Sequence, residues 1–182
     1  MKAKSQLVEL PVVTADGEFI ARYSEKGLAG LDFPKQSNRR RRGDETLISP
    51  ASGDLVRVAS RRLLQIKILR WHRTTSTALK NILAGRESKT LPPLDMTGTA
   101  FQKSVWNQMR KISTGKTKSY GEIAVAIGRP KAVRAVGGAC GANPVPVLVP
   151  CHRVLAANKK LGGFSGGLDW KRSLLKREGI KF

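Results

Sequence analysis

Hydrophobic positions along the chain follow a period near two in the first third and a period near 3.6 thereafter. Leu7–Thr14 and Phe19–Tyr23 are β-leaning runs around Ala15-Asp16-Gly17, a turn signal, and they predict two strands. Gly27–Phe33 predicts another. Ala59–Leu69 and Ser76–Leu83 have helical spacing, the second stopping at Gly85. Between strands and helices lies Lys35–Asp44, a polar stretch holding Arg39-Arg40-Arg41-Arg42. A run of like charges is ordinarily solvated, so this segment is expected to be a mobile loop. Glu87–Asp95, with Pro92-Pro93, reads as a linker.

The second part opens on Thr99-Ala100-Phe101-Gln102, a capping box in which the first and fourth side chains close each other's backbone N–H groups. Phe101, Val105, Trp106, Met109 and Ile112 recur behind it at helical spacing, a stripe expected to face the core. Ser119-Tyr120-Gly121-Glu122 is a second capping box. It opens a short helix through Ile123 and Ile127 that ends at Gly128. Arg129-Pro130 makes a turn, and Pro130 is expected at the first position of a further helix through Val133, Val136 and Cys140. Two short helices joined by a tight turn with glycine predict a helix-turn-helix.

Charge sharpens this division. The 182 residues carry 34 Lys and Arg against 13 Asp and Glu, a formal net charge of +21. From Met96 onward the balance is 16 basic residues to 3 acidic ones. Such an excess favours a polyanionic partner. No basic amphipathic stretch of the length a membrane surface needs is visible. Two cysteines, Cys140 and Cys151, make no disulfide framework and point to a reducing compartment. With no apolar leader at the N-terminus, a cytoplasmic location is expected.

The helix after Pro130 is unusual in carrying Ala132, Ala135, Gly137, Gly138 and Ala139. Each glycine weakens a helix by up to about 1 kcal/mol. Small residues let a helix backbone come close either to the core or to an outside partner, and both readings stand. Arg134, on the same helix, suits a phosphate contact or an exposed charge.

The sharpest chemical signal is Pro150-Cys151-His152-Arg153-Val154. Cysteine reacts as the thiolate, and an adjacent base makes that form available. A lone cysteine is more often an inert core residue, so the flanks matter. Upstream lie Ser119-Tyr120-Gly121-Glu122, Arg134-Ala135-Val136-Gly137 and Asn143-Pro144-Val145-Pro146. Downstream lie Gly163-Phe164-Ser165-Gly166-Gly167, Leu174-Leu175 and Glu178-Gly179.

This ordered set resembles the O6-alkylguanine-DNA alkyltransferases, the methylated-DNA–protein-cysteine methyltransferases that are consumed by their own reaction. The resemblance spans Thr97 to Gly179. It implies an α/β N-terminal domain, ribonuclease-H-like, over 1–94, and a mostly α C-terminal domain with a winged helix-turn-helix over 95–182. It implies Cys151 as nucleophile, His152 as a base acting through a bridging water, and Glu178 holding the imidazole. Asn143 is implied as a hinge between the recognition helix and the cysteine segment. Tyr120 would crowd the backbone phosphate and, with Ser165, assist departure of the guanine. Pro146, Val154, Phe164 and the 162–167 loop would line the base pocket, with carbonyls at Cys151 and Val154 accepting from the guanine amino group. Phe164 stands where relatives commonly have tyrosine, which removes a hydroxyl.

The resemblance also places the helix of Ala132, Arg134, Ala135 and Gly137 in the DNA minor groove, about 6 Å wide, where bulky side chains would not fit. Arg134 would fill the gap left by an extruded nucleotide, because the O6 substituent is out of reach inside the stack. The implied partner is double-stranded DNA containing O6-alkylguanine, the implied protein a monomer. No cofactor and no metal are expected, since Cys140, Cys151 and His152 lack paired zinc-ligand spacing. Rivals are a non-catalytic alkyl-damage-binding protein, which would lack the cysteine, a helix-turn-helix repressor, which would want long base-reading side chains, and a cysteine hydrolase.

Overall fold

The computed structural model describes residues 7–34 and 55–182; the Arg39–Arg42 run lies outside them. The order is β1 (Val8–Thr14), β2 (Gly17–Tyr23), β3 (Leu28–Asp32), α1 (Leu55–Leu83), α2 (Ala100–Met109), β4 (Lys118–Ser119), α3 (Tyr120–Ala126), α4 (Val133–Gly141), β5 (Val154–Leu155) and α5 (Leu168–Arg177). It is a mixed α/β fold.

β1, β2 and β3 form an antiparallel sheet in chain order, with Val12 opposite Phe19 and Thr14 opposite Gly17. On β2 the alternate residues Phe19, Ala21 and Tyr23 are buried. They pack with Ala78, Leu79, Ile82 and Leu83 of α1 in one core that continues through Trp106, Ile123, Val136 and Leu174. α1 is a single helix where the sequence pattern predicts two. Arg70–Thr75 has modest helix propensity but no glycine or proline to break the ladder. Thr75 is fully buried and bonds back to the Trp71 carbonyl at 2.9 Å. The segment read as a linker is strapped to the sheet. Leu28 donates to the Pro93 carbonyl (2.8 Å), and Asp95 donates back to Leu28 (2.9 Å).

Both capping boxes form: Thr99 with Gln102, and Ser119 with Glu122. α3 closes at Gly128, whose φ of 70° suits glycine, while Gly128 and Arg129 donate to the Val125 and Ala124 carbonyls. α4 starts later than its sequence suggests. Pro130 lies in the preceding turn, and Ala132 is the N-cap, because Ala132 first turns back onto the Arg129 carbonyl (2.9 Å). Trp106 on α2 donates its indole N–H to the Ala139 carbonyl at 2.8 Å, fixing α4 against α2. Cys140 is buried beside Met109, in the core as its stripe position predicts. No described helix is long and apolar enough to cross a membrane.

Candidate active site

The chain leaves α4 through Ala142 and turns sharply over 143–150 before reaching Cys151. Asn143 organises that turn. Its Oδ1 accepts from Val145 N (3.1 Å), while its Nδ2 donates to the Val149 carbonyl (2.8 Å) and to Cys151 Sγ (3.2 Å). Inside the turn, buried Val147 has φ 71°, and Leu148 N bonds to the Pro146 carbonyl (2.9 Å). A β-branched residue at positive φ is strained by about 1–3 kcal/mol, so Asn143 holds a loaded segment directly ahead of the thiol.

Cys151 begins a 3-10 turn through Arg153 and is only 4% exposed. Burial pushes its thiol above the ordinary value, opposed by the Asn143 hydrogen bond and the positive charge of Lys171. The resting side chain is therefore a thiol. His152 is fully buried, and burial keeps its imidazole below the usual value despite Glu178. It is neutral and can accept a proton. His152 Nε2 lies 3.0 Å from Glu178 Oε1. A carboxylate accepts, so this pairing places the imidazole proton on Nε2 and leaves the lone pair on Nδ1. That Nδ1 is buried and has no protein partner among the described residues.

Glu178 is the C-cap of α5, and Gly179 (φ 71°) and Ile180 close the helix behind it on the Lys176 and Leu175 carbonyls. A carboxylate at a helix C-terminus opposes the helix dipole, and here Arg153 offsets that. Arg153 Nε donates to both Glu178 oxygens (3.1 and 2.9 Å) and Nη2 to Oε1 (2.8 Å). Its other donors reach the Ile112 carbonyl (2.7 Å) and Thr114 (3.0 Å). Burial alone would raise the Glu178 carboxyl; hydrogen bonds from His152 and Arg153 outweigh it and bring it down to about 2. Cys151, His152, Glu178 and Asn143 thus form one buried cluster.

A cleft of about 390 Å³, lined by Asn143, Pro146, Ser165, Gly166, Phe33 and Trp170 among others, meets this cluster at Asn143. Ser165 is exposed on the loop, and Phe164 is half-buried with its ring centroid 6.5 Å from that of His152. Tyr120, at the start of α3, faces the same loop. A Cβ at Gly162 would fall 2.8 Å from its hydroxyl, so only glycine at φ 64° allows that approach. The Val154 carbonyl is occupied by Lys171 Nζ at 2.7 Å.

The C-terminal end of α4 abuts this cluster, with Asn143 N on the Cys140 carbonyl at 3.3 Å. Val136, Ala139 and Cys140 face inward, while Arg134 and Ala135 are exposed and Ala132 and Gly137 half-buried. A Cβ at Gly137, Gly138 or Gly141 would meet nothing within 4 Å. Internal packing therefore does not require those glycines.

Residues 100–180 match the family model described as 6-O-methylguanine DNA methyltransferase, DNA binding domain. A methylated-DNA–protein-cysteine methyltransferase of Methanosarcina barkeri is 36% identical over 172 residues, 94% of each chain. This chain belongs to the methylated-DNA–protein-cysteine methyltransferase family. A relative of the same name in Haemophilus influenzae is 51% identical over 90 residues, half of this chain and half of that protein. The solved structure of Mycobacterium tuberculosis OGT in complex with DNA is 33% identical, covers 92% of this chain and 90% of its own, and has a TM-score of 0.64.

Every singled-out site residue, from Tyr120 to Glu178, falls inside the span matched by the family model. Two members of the site were not singled out in the sequence. Arg153 sits within the Cys151 motif, and only the fold brings it to Glu178. Lys171 is fully buried and donates to the Val154, Leu161 and Gly163 carbonyls, with burial bringing its ammonium down to about 8. Its signal was a lysine on the apolar stripe of α5, three and four residues before Leu174 and Leu175.

Proposed function

We propose that this protein repairs O6-alkylguanine in DNA by direct reversal, moving the alkyl group, methyl in the simplest case, onto its own Cys151. The observation that carries this is the buried relay: a thiol held by Asn143, beside a neutral imidazole whose Nε2 is fixed by Glu178 and whose Nδ1 can take a proton. Relatives bearing the methyltransferase name, and a solved relative in complex with DNA, support the same reading.

The step balances within the protein and the base. Cys151 Sγ gives up its proton through a water to His152 Nδ1 and attacks the methyl carbon. The S–C bond forms as the O6–C bond breaks, and guanine leaves with the electron pair. Donors fixed beforehand stabilise that developing charge without reorganising, a role that suits Tyr120 and Ser165. Pro146, Val154 and Phe164 would line the base pocket. The thioether product does not hydrolyse under mild conditions, so the protein is consumed, one methyl per chain, and a single copy suffices.

In this reading the partner is duplex DNA with an extruded O6-alkylguanine. α3 and α4 act as a helix-turn-helix, part of a winged domain over 95–182, with the α4 face of Ala132, Ala135 and Gly137 in the minor groove and Arg134 filling the vacated stack. Residues 1–94 are in this reading an N-terminal α/β domain, ribonuclease-H-like, whose described part shares its core with the second domain. The open space over Gly137 and Gly138 and the excess of basic residues after Met96 support it.

The test is intact-protein mass spectrometry after mixing with a duplex bearing one O6-methylguanine, followed by peptide mapping. One methyl on Cys151, saturating at one per chain, is expected. Binding without methyl gain would replace the transferase by a damage-binding protein, and neither binding nor gain would refute both.

A further inference from the structure

The N-terminal strands supply no side chain to the Cys151–His152–Glu178 relay, yet they grip α5 at both ends. α5 links the two halves of the site. The 162–167 loop leads into its first turn, and Glu178 caps its last.

At the first end, Phe33, just past β3, stacks at 5.6 Å from Phe164 and 5.1 Å from Trp170, ring centroid to centroid. Phe19 of β2 lies 5.6 Å from both Phe33 and Trp170. The loop backbone rests on the Phe33 ring so closely that a Cβ at Gly166 would fall 2.6 Å from it. At the far end, Arg177 precedes Glu178. Arg177 Nη1 donates to Asp16 Oδ2 (2.7 Å) and to the Leu83 carbonyl (2.8 Å), and Nη2 donates to Asp16 Oδ1 (2.5 Å). Gly85, just beyond α1, sits at φ 72° where a Cβ would be 2.1 Å from the Arg177 carbonyl.

The two grips belong to one patch. Asp16 is in the β1–β2 turn, and a Cβ on its neighbour Gly17 would lie 2.9 Å from Pro34, next to Phe33. A tilt of α5 would therefore move the substrate loop and the Glu178 carboxylate together. Because a displacement of about 1 Å at a reacting group can cost up to ~100-fold in rate, holding α5 at two points has kinetic weight.

We propose that the β1–β2 turn and the end of β3 form a two-point clamp on α5, in which Arg177 is a positioning residue for Glu178 and Phe33 a positioning residue for the 162–167 loop. The proposal rests on the transferase reading of Cys151. Asp16 and Arg177 act as a unit, so removing either side chain loosens Glu178, while removing Phe33 loosens the loop.

The experiment compares Arg177→Ala, Asp16→Ala, the double variant and Phe33→Ala with the intact chain. Single-turnover methyl transfer from an O6-methylguanine duplex is measured against duplex concentration, with duplex affinity and melting temperature alongside. Arg177→Ala and Asp16→Ala are each expected to lower the maximal rate about tenfold, with the double variant no slower than either and duplex affinity unchanged. Phe33→Ala is expected chiefly to raise the half-saturating duplex concentration. Arg177→Lys should recover part of the rate. Wild-type rates in folded variants, or a lower melting temperature with wild-type rates, would overturn the clamp. A readout independent of transfer is the NMR signal of the His152 Nε2–H, one of only two histidines in the chain. It is expected to shift and broaden in Arg177→Ala. An unchanged signal overturns the clamp even if transfer is absent altogether, whereas a shifted signal with no transfer in the intact chain would overturn the transferase reading and leave the clamp standing.

Discussion

The relay and the outer face of α4 are built on opposite principles. Around Glu178 nearly every polar atom has a partner inside the protein: His152, Arg153, the Ile112 carbonyl, Thr114 and the Gly115 N–H at 3.3 Å all belong to one network. Along α4 a Cβ at Gly137, Gly138 or Gly141 would meet nothing within 4 Å, so glycine stands where alanine would fit. A buried network is explained by what it contacts. The glycines of α4 give up helix propensity with no such internal contact in return.

Within the relay, Cys151→Ala should abolish methyl transfer while leaving duplex binding intact, read by mass spectrometry and gel shift. Retained transfer would remove the nucleophile from the relay. Next in size, Arg153→Met leaves the buried Glu178 without its main cation. Removing one partner of a buried pair costs about 3–5 kcal/mol, a loss to be measured by denaturant unfolding. A cost as small as that of a surface substitution would mean the network is not what holds the site.

Acid should expose the same network. His152 has a depressed value in the folded state, so folding disfavours its charged form, and that contribution to stability is lost as pH falls from the ordinary 6.5. Glu178 is likewise depressed, from 4.5 to about 2, and its contribution is present above 4.5 and lost as pH falls through that window. Two descending steps in stability are expected in a pH series. Glu178→Gln should lose the lower one, and an unchanged lower step would assign it to other carboxylates.

On the α4 side, Arg134→Ala should slow repair of duplex roughly tenfold while hardly changing reaction with the free base, since only duplex requires a few kcal/mol of base extrusion. Equal slowing of both would remove Arg134 from extrusion. Gly137→Ala should raise helix stability by up to about 1 kcal/mol, because a Cβ there meets nothing, and should weaken duplex binding. A variant both stabilised and fully able to bind DNA would mean the open face has no partner.

Much of this protein was legible from its residues taken in order. Capping boxes at Thr99 and Ser119, the stop at Gly128, the strands around Asp16-Gly17 and the Pro-Cys-His-Arg run are local signals, each decided by a few neighbouring side chains and backbone groups. Local signals also misled in places. Helical spacing alone suggested two runs, Ala59–Leu69 and Ser76–Leu83, but without glycine or proline between them nothing opposed burial of Thr75 and continuation of the ladder. Pro130 suggested a helix start that the turn onto Arg129 delayed to Val133.

Residue order determines which chemistry the chain can carry: a thiol beside an imidazole, a small-residue helix, a basic second half. Tertiary structure alone decided how those groups act. Glu178 lies 26 residues from His152 in the chain and 3.0 Å from it in the fold, and Arg153 enters the site only through Glu178. The Cys151 thiol is raised and the His152 imidazole held neutral by burial, a property of surrounding atoms drawn from distant segments. Asp16 reaches Arg177 across 161 positions. Covalent neighbours set local shape and intrinsic reactivity, whereas charge state and alignment depend on dielectric surroundings and distance, which exist only once the chain has packed.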